Sequence, residues 1–553
     1  MLDTHLPGFT PWPAPEARQY RELGLWTGET FDDVLRARTA ANPTAIAVVD
    51  QANRWTYAEL DARVASLAAG LAGQGVAARD RVLVQLPNVA EFVEVIFALF
   101  RLGALPVFCL PAHRRAELVP IGQASGAVAI ITCHHHQLFD HAALAAEVSA
   151  EVAAITRVIV LPDRDRTAVP GGAISLDELR SAPKEFPRAD PSDVAFLQLS
   201  GGSTGIPKLI PRTHDDYLFS VRRSAEICEL DTDTVYLAAL PVAHNFPMSS
   251  PGILGALWAG GTVAMAADPT PATAFAAIEA FGVTITGLVP PLARLWAERA
   301  EAGGTPDLST LRVLLVGGAR CPDELAARIG PALGVTLQQV FGMAEGLVCY
   351  TRLDDPAEVI VSTQGRPMSE YDQVAVVDEA GEPVPPGTDG LLQTKGPYTI
   401  RGYYDNAAAN ERAFTSDGWY RTGDVVCLRP DGNLVVKGRQ DDRVNRGGEK
   451  VSAEELEEHL LAHPAVRDAV IVSVPDTVLG ERTCAFVLAA DPATPPTLAT
   501  VRKFVRERGV AAWKLPDLVE VVDSFPETGV GKTSRRALRA ALLAASSHVG
   551  SAS

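Results

Sequence analysis

Residues 311–345 read LRVLLVGGARCPDELAARIGPALGVTLQQVFGMAE, and the pattern changes twice within them. The apolar run at 311–316 has strand length, Pro322 opens a helical stretch to Leu333, and 335–341 is strand-like again. Strand, helix, strand implies parallel strands joined by a crossover, and such sheets are covered on both faces. Both strands end in glycine turns, Gly317-Gly318 and Gly342. Ligands of open α/β sheets bind outside the carboxyl ends of strands, so a cleft is expected at these turns.

The same alternation extends outward. Thr56 and Glu59 form a capping-box signature ahead of Leu60, Val64, Leu67 and Leu71 at helical spacing. A strand is expected at 82–86, stopped by Pro87, then a helix at 89–100, a strand at 283–288 and a helix at 290–302. The fold class is therefore α/β, a large N-terminal domain of doubly wound sheets. From about 373 to 437, short strands and turn signals such as Asp431-Gly432 indicate a β-rich subdomain. Ser452 and Glu455 open a further helix; strands at 469–474 and 484–488, a helix near 501–508 and a basic last helix make a small, mobile α+β C-terminal domain. The expected division is 1–440 for the N-terminal core and 441–553 for the C-terminal lid.

With 553 residues, 47% hydrophobic and 21% charged, the chain can bury several cores, which excludes disorder and a disulfide scaffold. Its formal charge of −18 lacks the basic excess that general binding to nucleic acid or an anionic membrane requires. Seven cysteines stand singly with no CxxC pair, which fits a reducing cytoplasm. The N-terminus lacks the pattern of a signal peptide. Residues 245–267 carry no charge, but Pro247, Pro251, Gly252, Gly255, Gly260 and Gly261 interrupt them, so buried core beside a cleft is expected rather than a membrane span. The run His134-His135-His136 has no cysteine or acidic partner pattern, and contiguous histidines rarely converge on one metal, so an exposed loop is expected there.

The motif LSGGSTGIPK at 199–208 combines glycines, through which a backbone approaches an anion, with the hydroxyls of Ser200, Ser203 and Thr204 and the charge of Lys208. It is a phosphate cradle in character, though not a Walker A loop. YRTGD at 420–424 sets Asp424 after a glycine turn, suited to a ribose diol; GRQDD follows at 438–442, and TGVGK at 528–532 puts Lys532 on a glycine loop before a helix.

In this order and spacing the motifs resemble the adenylate-forming superfamily, over nearly the whole chain. The segments at 199–217, 244–252 (HNFPMSSPG), 338–355 (QQVFGMAEGLVCYTRLDD), 396–404 (GPYTIRGYY) and 445–450 (NRGGEK) resemble stand-alone aryl-acid–AMP ligases of siderophore and peptide-antibiotic pathways. The resemblance implies attack of an aryl carboxylate on the α-phosphate of MgATP, then transfer of the acyl group to the phosphopantetheine thiol of a carrier protein met in trans. Carried onto matching positions, Lys532 bridges carboxylate and α-phosphate, Glu345 holds Mg²⁺, and Asp424 and Arg439 contact the ribose. Ser200, Gly201, Gly202, Ser203, Thr204, Gly205 and Lys208 take the phosphates, with Gly318 and Val340 completing the ATP site. Asp441 matches the hinge, and Lys450 lies in the stretch brought in for thioester formation. His244, Asn245, Phe246, Ser250, Gly317, Met343, Val348 and Cys349 are the expected aryl-acid contacts.

Amino-acid-activating relatives place an aspartate where this chain has neutral Asn245, so a substrate ammonium would stand unpaired. Ser250 matches the serine of relatives using 2,3-dihydroxybenzoate, where salicylate-using relatives more often carry cysteine; that makes 2,3-dihydroxybenzoate the expected acid. Cys349 departs from the asparagine usual in those relatives, which keeps salicylate, 3-hydroxypicolinate or a hydroxyanthranilate open, as it does an aryl-CoA ligase. A nucleotide-binding regulator without catalysis has no need of Lys532, Glu345 and Asp424 together.

Overall fold

The computed structural model describes residues 5–164, 169–200, 207–446, 449–476, 479–508, 510, 512–529 and 531–549. The chain divides into two compact units, Met1–Val374 with Thr394–Tyr420, and Ala375–Gln393 with Arg421–Ser553.

The first unit is built on two sheets. The larger has nine strands in the order Arg366–Pro367, Val348–Tyr350, Thr336–Gly342, Val313–Gly317, Ile285–Leu288, Val235–Ala238, Thr262–Met265, Ile46–Val49 and Arg54–Thr56. Its central strands pair in parallel, Leu315 opposite Gln338 and Thr286 opposite Leu314, as the 311–345 reading requires. The second sheet has seven strands and contains Arg81–Gln85, Leu105–Phe108, Ala129–Cys133, Arg157–Leu161 and Val194–Leu199. Antiparallel partners Val194–Leu199 and Leu209–Thr213 close one end of it.

One core cluster joins the sheets, taking Val48 from the first, Val82 and Val84 from the second, and Leu60, Val64, Leu67 and Leu71 from the helix Tyr57–Gly73. Thr56 and Glu59 cap that helix reciprocally. The helix Ala90–Leu102 is buried all round except at Glu91. It therefore carries charge inward, and each charge is matched: Glu94 by Arg63 and Arg180, and Arg101 by Asp32 and Asp61. A buried carboxylate persists only when paired in this way.

The uncharged stretch from Asn245 becomes two short helices, Asn245–Ser249 and Gly252–Ala259, and the strand Thr262–Met265, nearly all buried. Among the described residues no helix is long and apolar enough to cross a membrane. All seven cysteines are unpaired thiols, and only Cys427 is not buried.

The second unit carries most of a four-stranded sheet, Gln373–Val377, Asp389–Lys395, Tyr420–Leu428 and Leu434–Arg439, in that order. It also contains a five-stranded sheet in which Val466–Asp476 and Gly480–Ala489 pair antiparallel. The helices Ala453–Leu461 and Leu498–Glu507 bury Leu456, Leu460, Val501 and Val505 in a core with Ile471, Ala485 and Val487 of that sheet. Ser452 caps the first of these helices through the Glu455 amide, as its sequence indicates.

Candidate active site

The phosphate-loop motif is the connection of an antiparallel hairpin. Leu199 pairs with Leu209, the Ser200 amide donates to the Lys208 carbonyl at 3.0 Å, and Ser200 Oγ accepts the Lys208 amide at 3.0 Å. These bonds close the neck of the loop; Gly201, Gly202, Ser203, Thr204 and Gly205 lie outside the described residues. Lys208 Nζ donates to the Tyr403 hydroxyl at 3.1 Å and sits 4.2 Å from the centre of its ring. Tyr403 in turn donates to Glu345 Oε1 at 2.9 Å, with the Tyr420 hydroxyl 3.1 Å away. Since the single Tyr403 proton goes to Glu345, its oxygen is left to accept from Lys208 and Tyr420. Glu345, Tyr403 and Tyr420 are all buried.

The turn carrying Glu345 is fixed from two sides. Arg212, only 2% exposed, pairs with Asp216 and spreads its guanidinium over the Ala344 carbonyl at 2.6 Å and the Tyr398 carbonyl at 3.0 Å. The Ile400 amide donates to the Glu345 carbonyl at 2.8 Å. Arg212 is the penultimate residue of the strand Leu209–Thr213, and Asp216 completes the cap of the next helix by accepting from Thr213. The motif PRTHDD thus builds a brace; neither Arg212 nor Tyr403 was singled out from sequence, because their partners lie 132 and 58 residues away.

A second group gathers where strands of the nine-stranded sheet end. Phe246 is buried with Val340 and Val348 in one cluster. A Cβ on Gly317 would stand 2.8 Å from the Val340 carbonyl and 3.2 Å from the Phe246 ring, so only glycine fits there. Gly318, at φ +81°, turns the chain away in a conformation glycine adopts freely. His244 caps the short helix at 245 through the Phe246 amide. Tyr217 donates to Asn245 Oδ1 at 2.6 Å. Ser250 is buried and hydrogen-bonded with Tyr350, whose hydroxyl also donates to Ser224 at 2.8 Å. Burial, and next Cys228, push the Tyr350 phenol well above its ordinary range, against the lowering effects of the Ser224 and Ser250 hydroxyls.

Two expected contacts stand apart. Cys349 alternates with Val348 and Tyr350 along its strand, so its side chain faces away from theirs. It is fully buried, its thiol pushed up by burial and next by the Asp372 carboxylate. Met343 packs with Ile210, Ile400, Tyr403 and Tyr420 rather than with Phe246. The run at 134 also departs from expectation. His135 and His136 form the first strand of a hairpin, and acidic partners stand beside it: Asp140 pairs across the hairpin and Asp163 follows the neighbouring strand of the main sheet.

In the second unit, strand register sets Asp424 opposite Arg439, and their side chains pair at 3.2 Å. Lys532 closes a tight loop, its carbonyl accepting the Thr528 amide and its amide donating to Thr528 Oγ1 at 3.2 Å. Burial holds the Lys532 ammonium below the usual lysine range; Asp424 opposes that shift and Arg439 adds to it, which places the three charges within reach of one another. Lys450 lies in the strand Glu449–Val451 and Asp441 in the 3₁₀ turn Gln440–Asp442, with both side chains outside the description.

The structure thus links Lys208, Tyr403 and Glu345 in one hydrogen-bonded group and gathers Phe246, Val340 and Val348 in one apolar cluster. The family profile of AMP-binding enzymes matches residues 35–404, and that of their C-terminal domain matches 455–532. The chain is 54% identical over 537 residues to the 2,3-dihydroxybenzoate-AMP ligase of Bacillus subtilis, covering 97% of this chain and 98% of that one. It is 49% identical to the vibriobactin-specific 2,3-dihydroxybenzoate-AMP ligase of Vibrio cholerae, over 96% of this chain and 97% of the relative. Its fold matches the apo structure of Mycobacterium smegmatis MbtA with a TM-score of 0.74 at 47% identity, over 96% and 98% of the two chains. The chain belongs to the AMP-binding enzyme family, as an aryl-acid-adenylating ligase.

Proposed function

We propose that the protein activates 2,3-dihydroxybenzoate as its adenylate and passes the acyl group to the phosphopantetheine thiol of a separate carrier protein in a reducing cytoplasm. The observation that carries the choice of acid is the Tyr217–Asn245 bond. Because the tyrosine proton occupies Asn245 Oδ1, the amide turns its NH₂ donors the other way. Donors suit the oxygens of a carboxylate or an ortho hydroxyl and repel an ammonium. Ser250, at the buried end of the same short segment, offers a hydroxyl to a second ring oxygen, and a hydroxyl built to pair with another rejects a ring that lacks it. The curated relatives named for 2,3-dihydroxybenzoate support this choice over salicylate.

In this reading a carboxylate oxygen attacks the α-phosphorus while the bond to the bridging α–β oxygen breaks and pyrophosphate leaves. Two anions must meet, so the work is charge neutralisation and positioning. Lys532 lies between carboxylate and α-phosphate, Lys208 and the loop after Ser200 hold the outer phosphates, and the Asp424 carboxylate accepts ribose hydroxyls with Arg439 orienting it. Glu345 would hold Mg²⁺: its buried carboxylate is engaged by a neutral tyrosine hydroxyl, and among the described residues no lysine or arginine pairs with it. Mg²⁺ bound there supplies neutralisation of the triphosphate. In the second step the carrier thiolate attacks the acyl carbonyl and AMP leaves; Lys450 belongs to that step.

Aryl-acid-dependent exchange of pyrophosphate into ATP tests both halves. 2,3-Dihydroxybenzoate should exceed salicylate, 3-hydroxypicolinate, 3-hydroxyanthranilate and benzoate, and amino acids should give none. Lys532→Ala should lower exchange at least a hundredfold with no change in melting temperature. Preference for another ring would overturn the choice of acid alone, whereas undiminished exchange in the lysine variant would overturn the mechanism.

A further inference from the structure

We propose that the hairpin at 135–140 is a binding site for a borderline first-row cation of the Zn²⁺ class, separate from the nucleotide site. His134, His135 and Asp140 each offer one ligand atom, and the three atoms lie within 4.8 Å of one another. The fold brings them together although the histidines are contiguous. His134 follows the strand Ala129–Cys133 and is tied by its amide to the Leu161 carbonyl at 2.9 Å. His135 then pairs across the hairpin with Asp140. Gln137 and Leu138 make the turn with φ of 49° and 63°, the handedness that suits a two-residue hairpin. The two imidazole rings end 4.1 Å apart at 31° rather than on opposite faces.

Each prospective ligand is already oriented. Asp163, beyond the neighbouring strand Arg157–Leu161, lies 2.7 Å from His135 Nδ1 and accepts the His135 amide at 3.1 Å. With its Nδ1 proton given to Asp163, His135 presents Nε2 as a lone pair, the carboxylate–imidazole arrangement that orients metal-bound histidines. Asp140 Oδ1 caps the helix His141–Glu151 through the Ala143 amide at 2.8 Å, which leaves Oδ2 3.9 Å from His135 Nε2. Two ligands of a tetrahedral ion at about 2.1 Å stand about 3.4 Å apart, so a shift of about half an ångström closes the site. His134 Nδ1 is buried and makes no hydrogen bond among the described residues, though it lies 3.5 Å from Asp163 Oδ2, the oxygen that His135 Nδ1 already engages. A buried ring nitrogen with no closer partner than that gains by meeting a ligand. Two imidazoles and one carboxylate with an open fourth position match Zn²⁺ and its neighbours; Mg²⁺ prefers oxygen throughout.

Full-length, tag-free protein stripped with a chelator should be titrated with Zn²⁺ by calorimetry, and with Co²⁺ while the visible spectrum is recorded, in excess Mg²⁺. One equivalent should bind despite Mg²⁺, with the intense visible bands of low-coordinate Co²⁺. His135→Ala and Asp140→Ala should each weaken binding more than tenfold, and Asp163→Asn about tenfold. All three should keep wild-type melting temperature and wild-type pyrophosphate exchange. Absence of an equivalent that survives Mg²⁺ would overturn the proposal. So would one whose affinity is unchanged in both alanine variants, since the cation would then be held elsewhere.

Discussion

Tyr403 is the residue at which two separate motifs meet. Its oxygen takes the Lys208 ammonium and its proton goes to Glu345, so one hydroxyl sets both the cation proposed to bind phosphate and the carboxylate proposed to hold Mg²⁺. Tyr403→Phe keeps the ring and removes the join. A hydrogen bond to a charged group is worth about 1.5–3 kcal/mol, so the Mg²⁺ concentration for half-maximal exchange should rise about tenfold. Nucleotide binding without Mg²⁺, read by calorimetry, should change little, and Tyr420→Phe should fall between. An equal loss in both measurements would mean that Tyr403 acts only as packing. Asp372 offers a residue-scale test by pH. Burial raises its carboxyl to about 7, against the lowering effects of the Tyr398 hydroxyl and the Ser369 amide. A folded value above the unfolded one means the native state holds a proton the unfolded chain releases between about pH 4 and 7. Its contribution is therefore complete below pH 4 and lost as pH rises through 7. Asp372→Asn should flatten that slope, by on the order of 1–2 kcal/mol once solvent screening at this half-buried site is allowed for. Urea unfolding at pH 5 and 8 measures it; an unchanged slope would assign the titration to other groups.

At the scale of elements, the brace from the strand Leu209–Thr213 to the turn of Glu345 is the most exacting part of the first unit. Arg212→Ala leaves Asp216 buried without its cation, a loss of about 3–5 kcal/mol in comparable buried pairs. Arg212→Lys retains the charge but not the fork that reaches both the Ala344 and Tyr398 carbonyls. The lysine variant should recover most of the stability seen in urea unfolding yet remain at least tenfold low in exchange. Full recovery of both would reduce Arg212 to a counter-ion for Asp216. This brace marks the limit of what periodicity discloses. The strands and helices at 285–342 fall within a few residues of their sequence reading because burial on both faces imposes strand-length apolar runs, and proline or glycine marks the ends. Glycines 317 and 318 were likewise legible, as turns at strand ends. What crosses between elements was not. Nothing in 199–217 says that Arg212 reaches residue 344, and nothing in the alternation around Cys349 gave its facing until the strand Val348–Tyr350 was in place. The hairpin at 135 was read as a bare histidine run because Asp163 joins it only through the pairing of two parallel strands.

At the scale of the whole molecule, compactness and motif resemblance mark different places along the chain. By compactness the units exchange chain at 374/375, 393/394 and 420/421, whereas the motif resemblance puts the pivot at Asp441. The two describe different things: a compact unit is defined by what packs together in one arrangement, a pivot by what changes between two. Asp424 and Arg439 precede residue 441 and Lys532 follows it, yet the three charges act on one another here. Rotation at 441 would therefore carry Lys532 away from the carboxylate proposed to hold the ribose, which would end the proposed first step. Such a pivot needs φ freedom, which proline removes. Asp441→Pro should hold exchange within about threefold of wild type if the arrangement seen here is the adenylating one, and slow acyl transfer to a carrier thiol at least tenfold. A variant slowed equally in both steps would have lost structure at the 3₁₀ turn rather than a motion. One slowed in neither would move the pivot to one of the crossings at 374/375, 393/394 or 420/421, and a proline scan there would be the next step.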